Sequence, residues 1–149
     1  MEIREVMTET VVTAAPDTPV RHIAEIMRER NVGSVVLVDG DGGAVGFVTD
    51  RDLTVSVLAD GHAGEQPAEG HASSPVVTGE PGMHIEEATE LMARHGIRRL
   101  PVVDGGRLTG IVTLDDIAVR LGDLEMAQRL TAQITRAALP DFYFFDRGG

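Results

Sequence analysis

Two pairs of polar residues with the same spacing could bind a sugar-phosphate. Thr49 precedes Asp52 by three positions, and Thr113 precedes Asp116 in the same way, each pair following strand-forming residues. The spacing predicts a capping box, in which the threonine begins a helix and the aspartate bonds back to it. A helix N-terminus also favours an anion, and a carboxylate accepts hydrogen bonds from ribose hydroxyls. Each pair is therefore either a helix cap alone or a helix cap that also binds a nucleotide.

The two pairs belong to an internal repeat. Residues 46–53 read Gly-Phe-Val-Thr-Asp-Arg-Asp-Leu, and residues 110–117 read Gly-Ile-Val-Thr-Leu-Asp-Asp-Ile. The preceding segments also correspond, because Val-Val-Thr at 11–13 recurs at 76–78. A repeat of this length and order indicates two copies of one structural unit.

The first copy begins with a strand and a helix. We expect the strand at 11–13, and a helix with Thr18 as its N-cap, Pro19 in its first position and its end at Asn31. Apolar residues recur at helical spacing along the helix and predict its inward face. They are Val20, Ile23, Ala24 and Met27.

A hairpin and a second helix complete the first copy. The apolar run 35–38 predicts a strand buried on both faces, and 44–49 predicts its hairpin partner. The glycine-rich turn at 39–43 requires positive φ. We expect the second helix over 50–58, with Leu53, Val57 and Leu58 facing inward.

The second copy repeats this order from the strand at 76–78 onward, with Ile85, Ala88 and Met92 on the inner face of its first helix. Neither copy is large enough to build a good core alone. We therefore expect an α/β fold of two βαββα repeats packed with pseudo-two-fold symmetry, plus a C-terminal helix and aromatic tail.

We divide the chain into repeat 1 at 1–60, a linker at 61–74, repeat 2 at 75–121, and a C-terminal helix and aromatic tail at 122–149. The linker is small, polar and aperiodic, which predicts a flexible connection. Asp123 can cap a helix that runs to about Ala138. Its apolar stripe comprises Leu124, Ala127, Leu130, Ile134 and Ala137 or Ala138.

The tail contains four of the five aromatic residues of the chain, at 142–145. So many exposed aromatics would be unfavourable in water. We expect them either to cover the chain's own apolar edge or to dock onto a second subunit or another partner.

Composition excludes several functions. The 149-residue chain has a net charge of −11, which disfavours nucleic acid and anionic membrane surfaces as partners. It contains no cysteine, no apolar run long enough to span a bilayer and no signal-peptide pattern, so we expect a cytoplasmic protein. The chain also has no Ser-His-Asp order, Walker loop or Gly-x-Gly-x-x-Gly motif, so no enzymatic activity is expected.

Taken together, these motifs resemble the tandem cystathionine β-synthase (CBS) domain pair, or Bateman module, in stand-alone form. The resemblance covers roughly residues 1–121. It is carried by Val6-Met7-Thr8, the two Val-Val-Thr segments, the two Gly-x-Val-Thr-x-x-Asp motifs and the segment Gly96-Ile97-Arg98-Arg99-Leu100-Pro101-Val102.

The resemblance implies a regulatory module that binds adenosine-containing ligands in clefts between its repeats. It assigns Asp52 and Asp116 to the ribose hydroxyls, and Thr49 and Thr113 to the ribose-phosphate. The early strands would flank the adenine, and two arginines would reach the phosphate. These further residues are Val12, Thr13, Val77, Thr78, Arg98 and Arg99.

The two sites are not expected to be equivalent. Gly33 and Ser34 stand in the first repeat where Arg98 and Arg99 stand in the second, so the first repeat lacks that charge. AMP, ADP and ATP are the leading ligands, ahead of S-adenosylmethionine, NAD and cyclic di-AMP. No cofactor is required, and magnesium is expected only with a polyphosphate ligand.

The alternative is a ligand-free dimeric scaffold that acts on a partner protein, with the Thr-Asp pairs serving only as helix caps. In either case the resemblance implies a homodimer. A sensor also requires an effector protein that responds to the change caused by ligand binding. Four histidines at 62, 71, 84 and 95 match no common ligand spacing, so no metal site is expected.

Overall fold

The computed structural model describes residues 1–122 and 124–138. The described chain divides into two compact units that do not follow sequence order. The first unit contains Thr8–Thr78 and Pro101–Gly110. The second contains Met1–Met7, Gly79–Leu100 and the chain from Ile111 onward.

A three-stranded sheet forms the centre of the first unit. The sheet contains β1 (Thr13–Ala14), β2 (Ser34–Val38) and β3 (Ala44–Thr49). These strands are ordered β1-β2-β3, with β1 parallel and β3 antiparallel to β2. The prediction for β2 is confirmed, since its three middle residues are buried.

The turn between β2 and β3 confirms the predicted positive φ. Gly42 has φ 86°. The Asp39 carboxylate accepts the amide hydrogens of Asp41 and Gly43 at 3.0 and 2.9 Å, which closes the turn. These local bonds hold the turn. The Leu108 amide, from a later segment of the chain, also donates to Gly42 O at 2.8 Å.

Helix α1 (Val20–Arg30) packs its apolar face on the sheet. Val20, Ile23 and Met27 are buried as predicted. The assignment of Ala24 was wrong, because this residue is exposed and Ile26 packs against the core instead. Asn31 ends the helix in the left-handed conformation, as its type predicted.

The start of α1 differs from the prediction. The N-cap is Pro19 rather than Thr18, and no side chain caps the helix. Instead, the Val20 and Arg21 amides donate to the carbonyl oxygens of Gln66 and Gly64, each at 2.9 Å. A distant segment therefore supplies the acceptors that a local side chain usually provides.

We call that segment, residues 61–74, the strap. The sequence predicted a flexible linker here, but Ala68 is fully buried in the core of the first unit. The Ala68 amide donates to Thr18 O at 2.8 Å, and Ser73 pairs with Phe47 at the edge of β3. The strap is thus a packed part of the unit, and its polar composition concealed this.

Three further predictions for the first unit need correction. Residues 76–78 form neither strand nor helix, and β1 starts two residues later than the signal at 11–13. The helix after β3 begins as α2 (Asp50–Asp52) and continues as a π-helix over Leu53–Leu58. Leu53 and Val57 pack against the core, but Leu58 is 76% exposed, because a π-helix does not keep the α-helical face.

The second unit contains most of the remaining helices. The remaining elements of the chain are α3 (Ile85–His95), β4 (Arg99–Asp104), β5 (Arg107–Thr113), α4 (Leu114–Leu121) and α5 (Leu124–Ala138). Ile85, Ala88 and Met92 are buried as predicted, and α5 packs against both α3 and α4. The strands β4 and β5 form a hairpin whose tip, Pro101–Gly110, belongs to the first unit.

Helix α5 confirms the predicted C-terminal helix, and Leu130 of its apolar stripe is half-buried. The cap at Asp123, the other side chains of the stripe and the aromatic segment 142–145 lie outside the described residues. Within the described chain, no helix is both long and apolar enough to cross a membrane.

Candidate functional site

Both Thr-Asp pairs form the predicted capping boxes. The Asp52 amide donates to Thr49 Oγ1 at 3.2 Å, and the Thr49 amide donates to Asp52 Oδ2 at 2.8 Å. The second pair has the same geometry, with distances of 3.1 Å to Thr113 Oγ1 and 3.0 Å to Asp116 Oδ2. The sequence spacing therefore predicted the local structure in both repeats.

Each capping aspartate uses only one of its two carboxylate oxygens. Asp52 and Asp116 are half-buried, and in the described part of the chain Oδ1 of neither residue has a hydrogen-bond donor. A carboxylate oxygen has two acceptor positions, so Oδ1 can still receive a hydroxyl hydrogen. Capping and sugar binding are thus compatible in one residue.

We call the helix that begins at each Thr-Asp pair the motif helix, which is α2 with its π-helical continuation in the first repeat and α4 in the second. In both repeats a backbone hydrogen bond joins the start of this helix to the residue that precedes β2 or β4. The Asp50 amide donates to Gly33 O at 3.0 Å, and the Leu114 amide donates to Arg98 O at the same distance. Residues 33 and 98 therefore lie beside the Thr-Asp pairs. We refer to these two places, each formed by a capping box and the residue tied to it, as corner 1 and corner 2.

Corner 2 contains a cation that is only weakly paired. Arg98 Nη2 lies 3.8 Å from Asp115 Oδ1, with side chains 48% and 86% exposed. At this distance the two groups share no good hydrogen bond, and exposed ion pairs contribute little stability. Arg99 is also exposed. The guanidinium groups can consequently turn to an anionic ligand at small cost.

Corner 1 has its cation on the helix rather than on the strand. Arg51 occupies the second position after Thr49, where the second repeat has Asp115. It is exposed, and its amide donates to Asp50 Oδ1 at 2.9 Å. The strand positions of the two repeats do not reveal this residue, and it was not among the predicted site residues. Aligning the two motif helices would have found it.

The remaining predicted site residues are less clearly grouped. Val12 and Thr13 lie at β1, and β2 separates them from Thr49 at the end of β3. Val77 and Thr78 belong to the first unit, whereas Thr113, Asp116, Arg98 and Arg99 belong to the second. Their assignment to the adenine stays a prediction.

Comparison with known proteins identifies the class. The family model of the CBS domain matches residues 3–58 and 70–123. The chain belongs to the CBS domain family and contains two copies of that domain. The CBS domain-containing protein YhcV of Bacillus subtilis is 40% identical over 117 residues, which is 78% of this chain and 83% of YhcV. Other curated relatives are longer, and the chain covers 61% and 42% of two of them.

Solved structures show the same fold. The CBS domain protein PAE2072 of Pyrobaculum aerophilum, complexed with AMP, is 25% identical with a TM-score of 0.76, covering 87% of this chain and 99% of that one. The CBS domain pair of protein MJ0100 is complexed with 5′-methylthioadenosine and S-adenosyl-L-methionine. It is also 25% identical, with a TM-score of 0.74, covering 82% of this chain and all of that one. Related domain pairs thus bind adenosine compounds.

Proposed function

We propose that this chain is a regulatory sensor that binds an adenosine-containing ligand at its Thr-Asp corners, with AMP, ADP or ATP as the leading ligands. The observation that carries the proposal is the unused Oδ1 of a half-buried aspartate at both corners. A ribose presents two neighbouring hydroxyls, and a carboxylate fixed at a helix start can accept from them.

The phosphate end of the ligand would be bound beside the arginines. Corner 2 offers Arg98 and Arg99 beside the start of its motif helix α4, where the positive end of the helix dipole favours an anion. At corner 1 the positive charge of Arg51 stands next to the negative charge of Asp50, so this corner offers less positive charge to a phosphate. We expect corner 2 to bind the more highly phosphorylated ligand.

The proposed output is mechanical rather than chemical. The corners contain caps and cations but no nucleophile with a neighbouring base, so we assign binding rather than turnover to them. A ligand shifts the equilibrium between two arrangements of the protein only if it binds one arrangement more tightly than the other. In this proposal, contacts at the start of the motif helix supply that difference in affinity. An effector protein would respond to that shift.

A scaffold function is the second candidate, and one observation favours it. Val55 and Val119 stand at corresponding positions of the two motif helices, and they are 52% and 80% exposed. An exposed apolar residue repeated at the same place suits a surface for a second copy or another protein. In that case the Thr-Asp pairs serve only as helix caps.

Calorimetric titration with AMP, ADP, ATP and S-adenosylmethionine separates the two functions. The sensor predicts heat for at least one ligand, and the loss of that heat in Asp52→Asn or Asp116→Asn. Asparagine keeps an acceptor for the capping bond, so folding is retained while the carboxylate is removed. Absence of heat with every ligand would favour the scaffold.

A further inference from the structure

An open groove lies between α3 and α5 in the second unit. The two helices pack against each other, and a cavity of about 450 Å³ is lined by residues of both. This volume falls within the range of roughly 300–1,000 Å³ that is typical of pockets for small molecules. We call it the α3–α5 groove. Its described lining residues are Thr89, Glu90, Ala93 and Arg94 of α3, with Leu130 and Gln133 of α5.

The floor of the α3–α5 groove is apolar. Thr89 is only 3% exposed, and its Oγ1 donates to Glu86 O at 2.8 Å, so this hydroxyl needs no partner in the groove. Ala93 stands four residues later on the same face of α3 and contributes only a methyl group. The half-buried Leu130 lies opposite on α5. Two small side chains facing a leucine leave a hollow that suits a large apolar group.

The rim of the groove favours a flat aromatic ring. Glu90 and Arg94 are exposed, and side chains of this kind lay their aliphatic stems along apolar surface while their charged ends stay in water. Among the described residues, no carboxylate lies within ion-pair distance of Arg94. An unpaired guanidinium stacks favourably on the face of an aromatic ring. The groove therefore suits an aromatic occupant.

The chain carries an aromatic segment shortly after α5. The helix ends at Ala138, and residues 142–145 read Phe-Tyr-Phe-Phe. Pro140 stands between them and disfavours a continuation of the helix. An aromatic side chain buries about 150–250 Å² when it is covered, so four in succession present a large apolar surface. Such a surface requires a partner.

The aromatic segment is long enough to reach the groove of its own chain. Leu130 precedes Ala138 by eight residues, which is about 12 Å along a helix. Residues 142–145 follow Ala138 by four to seven positions and extend about 13–23 Å at roughly 3.3 Å per residue. A tether this short gives the segment a local concentration on the order of millimolar, which favours its own groove over that of a second copy.

We propose that the aromatic segment 142–145 docks into the α3–α5 groove of its own chain and covers the apolar floor. Of the two roles that the sequence left open for this segment, the proposal selects the cover of the chain's own apolar edge. Docking withdraws the aromatic rings from water and ties the end of α5 to α3. It involves neither Thr-Asp corner.

Tyrosine fluorescence tests the contact in the whole chain without any ligand. Tyr143 is the sole tyrosine and the chain has no tryptophan, so the emission reports on the aromatic segment alone. Acrylamide should quench it weakly in the unaltered protein. In Ala93→Gln a longer polar side chain fills the groove, and the quenching constant should rise at least about twofold because the ring moves into water. The matched control, Ala24→Gln at an exposed site of α1, should leave it unchanged.

A variant of the segment itself keeps the test decisive if Ala93→Gln disturbs folding, which circular dichroism would reveal. Combining Phe142→Ser, Phe144→Ser and Phe145→Ser retains Tyr143 and alters neither helix, and it should raise the quenching constant by a similar factor. Quenching that stays weak in this variant or in folded Ala93→Gln would overturn the proposal, as would quenching in the unaltered protein as strong as in urea.

Dilution of the unaltered protein separates the remaining occupant. Protection of Tyr143 should be independent of protein concentration, because the groove and the segment belong to one chain. Protection that disappears on dilution would refute the proposal and show docking onto a second copy. Since no nucleotide is present, every outcome is independent of the proposed ligand binding.

Discussion

Arg51 and Asp115 occupy the same position in the two motif helices and carry opposite charges. Each follows its capping threonine by two residues. The two repeats also differ at the residue whose carbonyl accepts the backbone bond from the helix start. This residue is Gly33 in the first repeat and Arg98 in the second. Both repeats therefore have a cation beside the Thr-Asp pair, but it approaches from the helix in one corner and from the strand side in the other.

The first prediction concerns the phosphate end of the ligand. Arg98→Ala should weaken ATP binding by about tenfold or more, since a charge-assisted bond to phosphate contributes roughly 1.5–3 kcal/mol. Adenosine, which has no phosphate, should lose less than twofold. Calorimetric titration of both compounds measures the difference. Arg94→Ala, on an exposed site of α3, is the matched control and should leave both affinities unchanged. Equal losses for ATP and adenosine would contradict the assignment.

The second prediction separates capping from binding. Thr113→Ala removes the acceptor for the Asp116 amide and should lower the free energy of unfolding by about 1 kcal/mol. Thr113→Ser retains the hydroxyl and should cost less than half of that. Urea denaturation measures both values. A loss of equal size in the two variants would indicate that the threonine methyl group, rather than the cap, determines the effect.

The third prediction tests the strap as part of the core. Ala68 is fully buried, so Ala68→Leu should overpack the unit and destabilise it by about 1–3 kcal/mol. Ala63→Leu, at an exposed position of the same strap, should change stability by less than about 0.5 kcal/mol. Thermal and urea unfolding provide the comparison. If both variants are equally stable, the strap does not belong to the cooperative core.

The fourth prediction concerns the turn between β2 and β3. Gly42 has φ 86°, and a Cβ there would lie 3.1 Å from Arg107 Nε. Gly42→Ala should therefore cost roughly 1–2 kcal/mol, mostly from the backbone conformation. Gly40 has no atom within 4 Å of an added Cβ, and Gly40→Ala should be nearly neutral. Adding Arg107→Ala to the Gly42→Ala variant should restore only the small part of the lost stability that is due to crowding, as measured by urea unfolding.

Local signals in the sequence predicted local structure well. The Thr-x-x-Asp spacing gave both capping boxes, and Asn31 gave the left-handed helix end. In each case the bonds join residues within a few positions of one another. Such bonds depend on residue type and spacing, which the sequence displays directly.

The wrong predictions involve partners distant in the chain. Thr18 was expected to cap α1, but the strap carbonyls of Gly64 and Gln66 perform that role. The polarity of the strap concealed a single buried alanine, which no periodic pattern could reveal. The π-helix was also not predicted: Leu53 and Val57 pack against the core as expected, whereas Leu58 is 76% exposed.

The candidate site was predicted in part. The two Thr-Asp pairs followed from comparing the repeats, whereas the choice of Arg98 came from the family resemblance. The Leu114 amide donates to Arg98 O, so Arg98 does lie beside the second pair. Arg51 was missed, because only the strand residues were compared. The roles of Val12, Thr13, Val77 and Thr78 remain predictions, since adenine contacts depend on how elements far apart in sequence come together.

The interleaved composition of the two units determines when each can fold during synthesis. Ile3 donates from its amide to Met83 O at 2.8 Å, so the second unit unites residues made first with residues made much later. The first unit likewise requires residues 101–110, whose Leu108 amide donates to Gly42 O at 2.8 Å. Closing such long loops is slow, and incomplete units expose apolar surface. Neither unit of a nascent chain can therefore be completed until part of the second repeat has emerged from the ribosome.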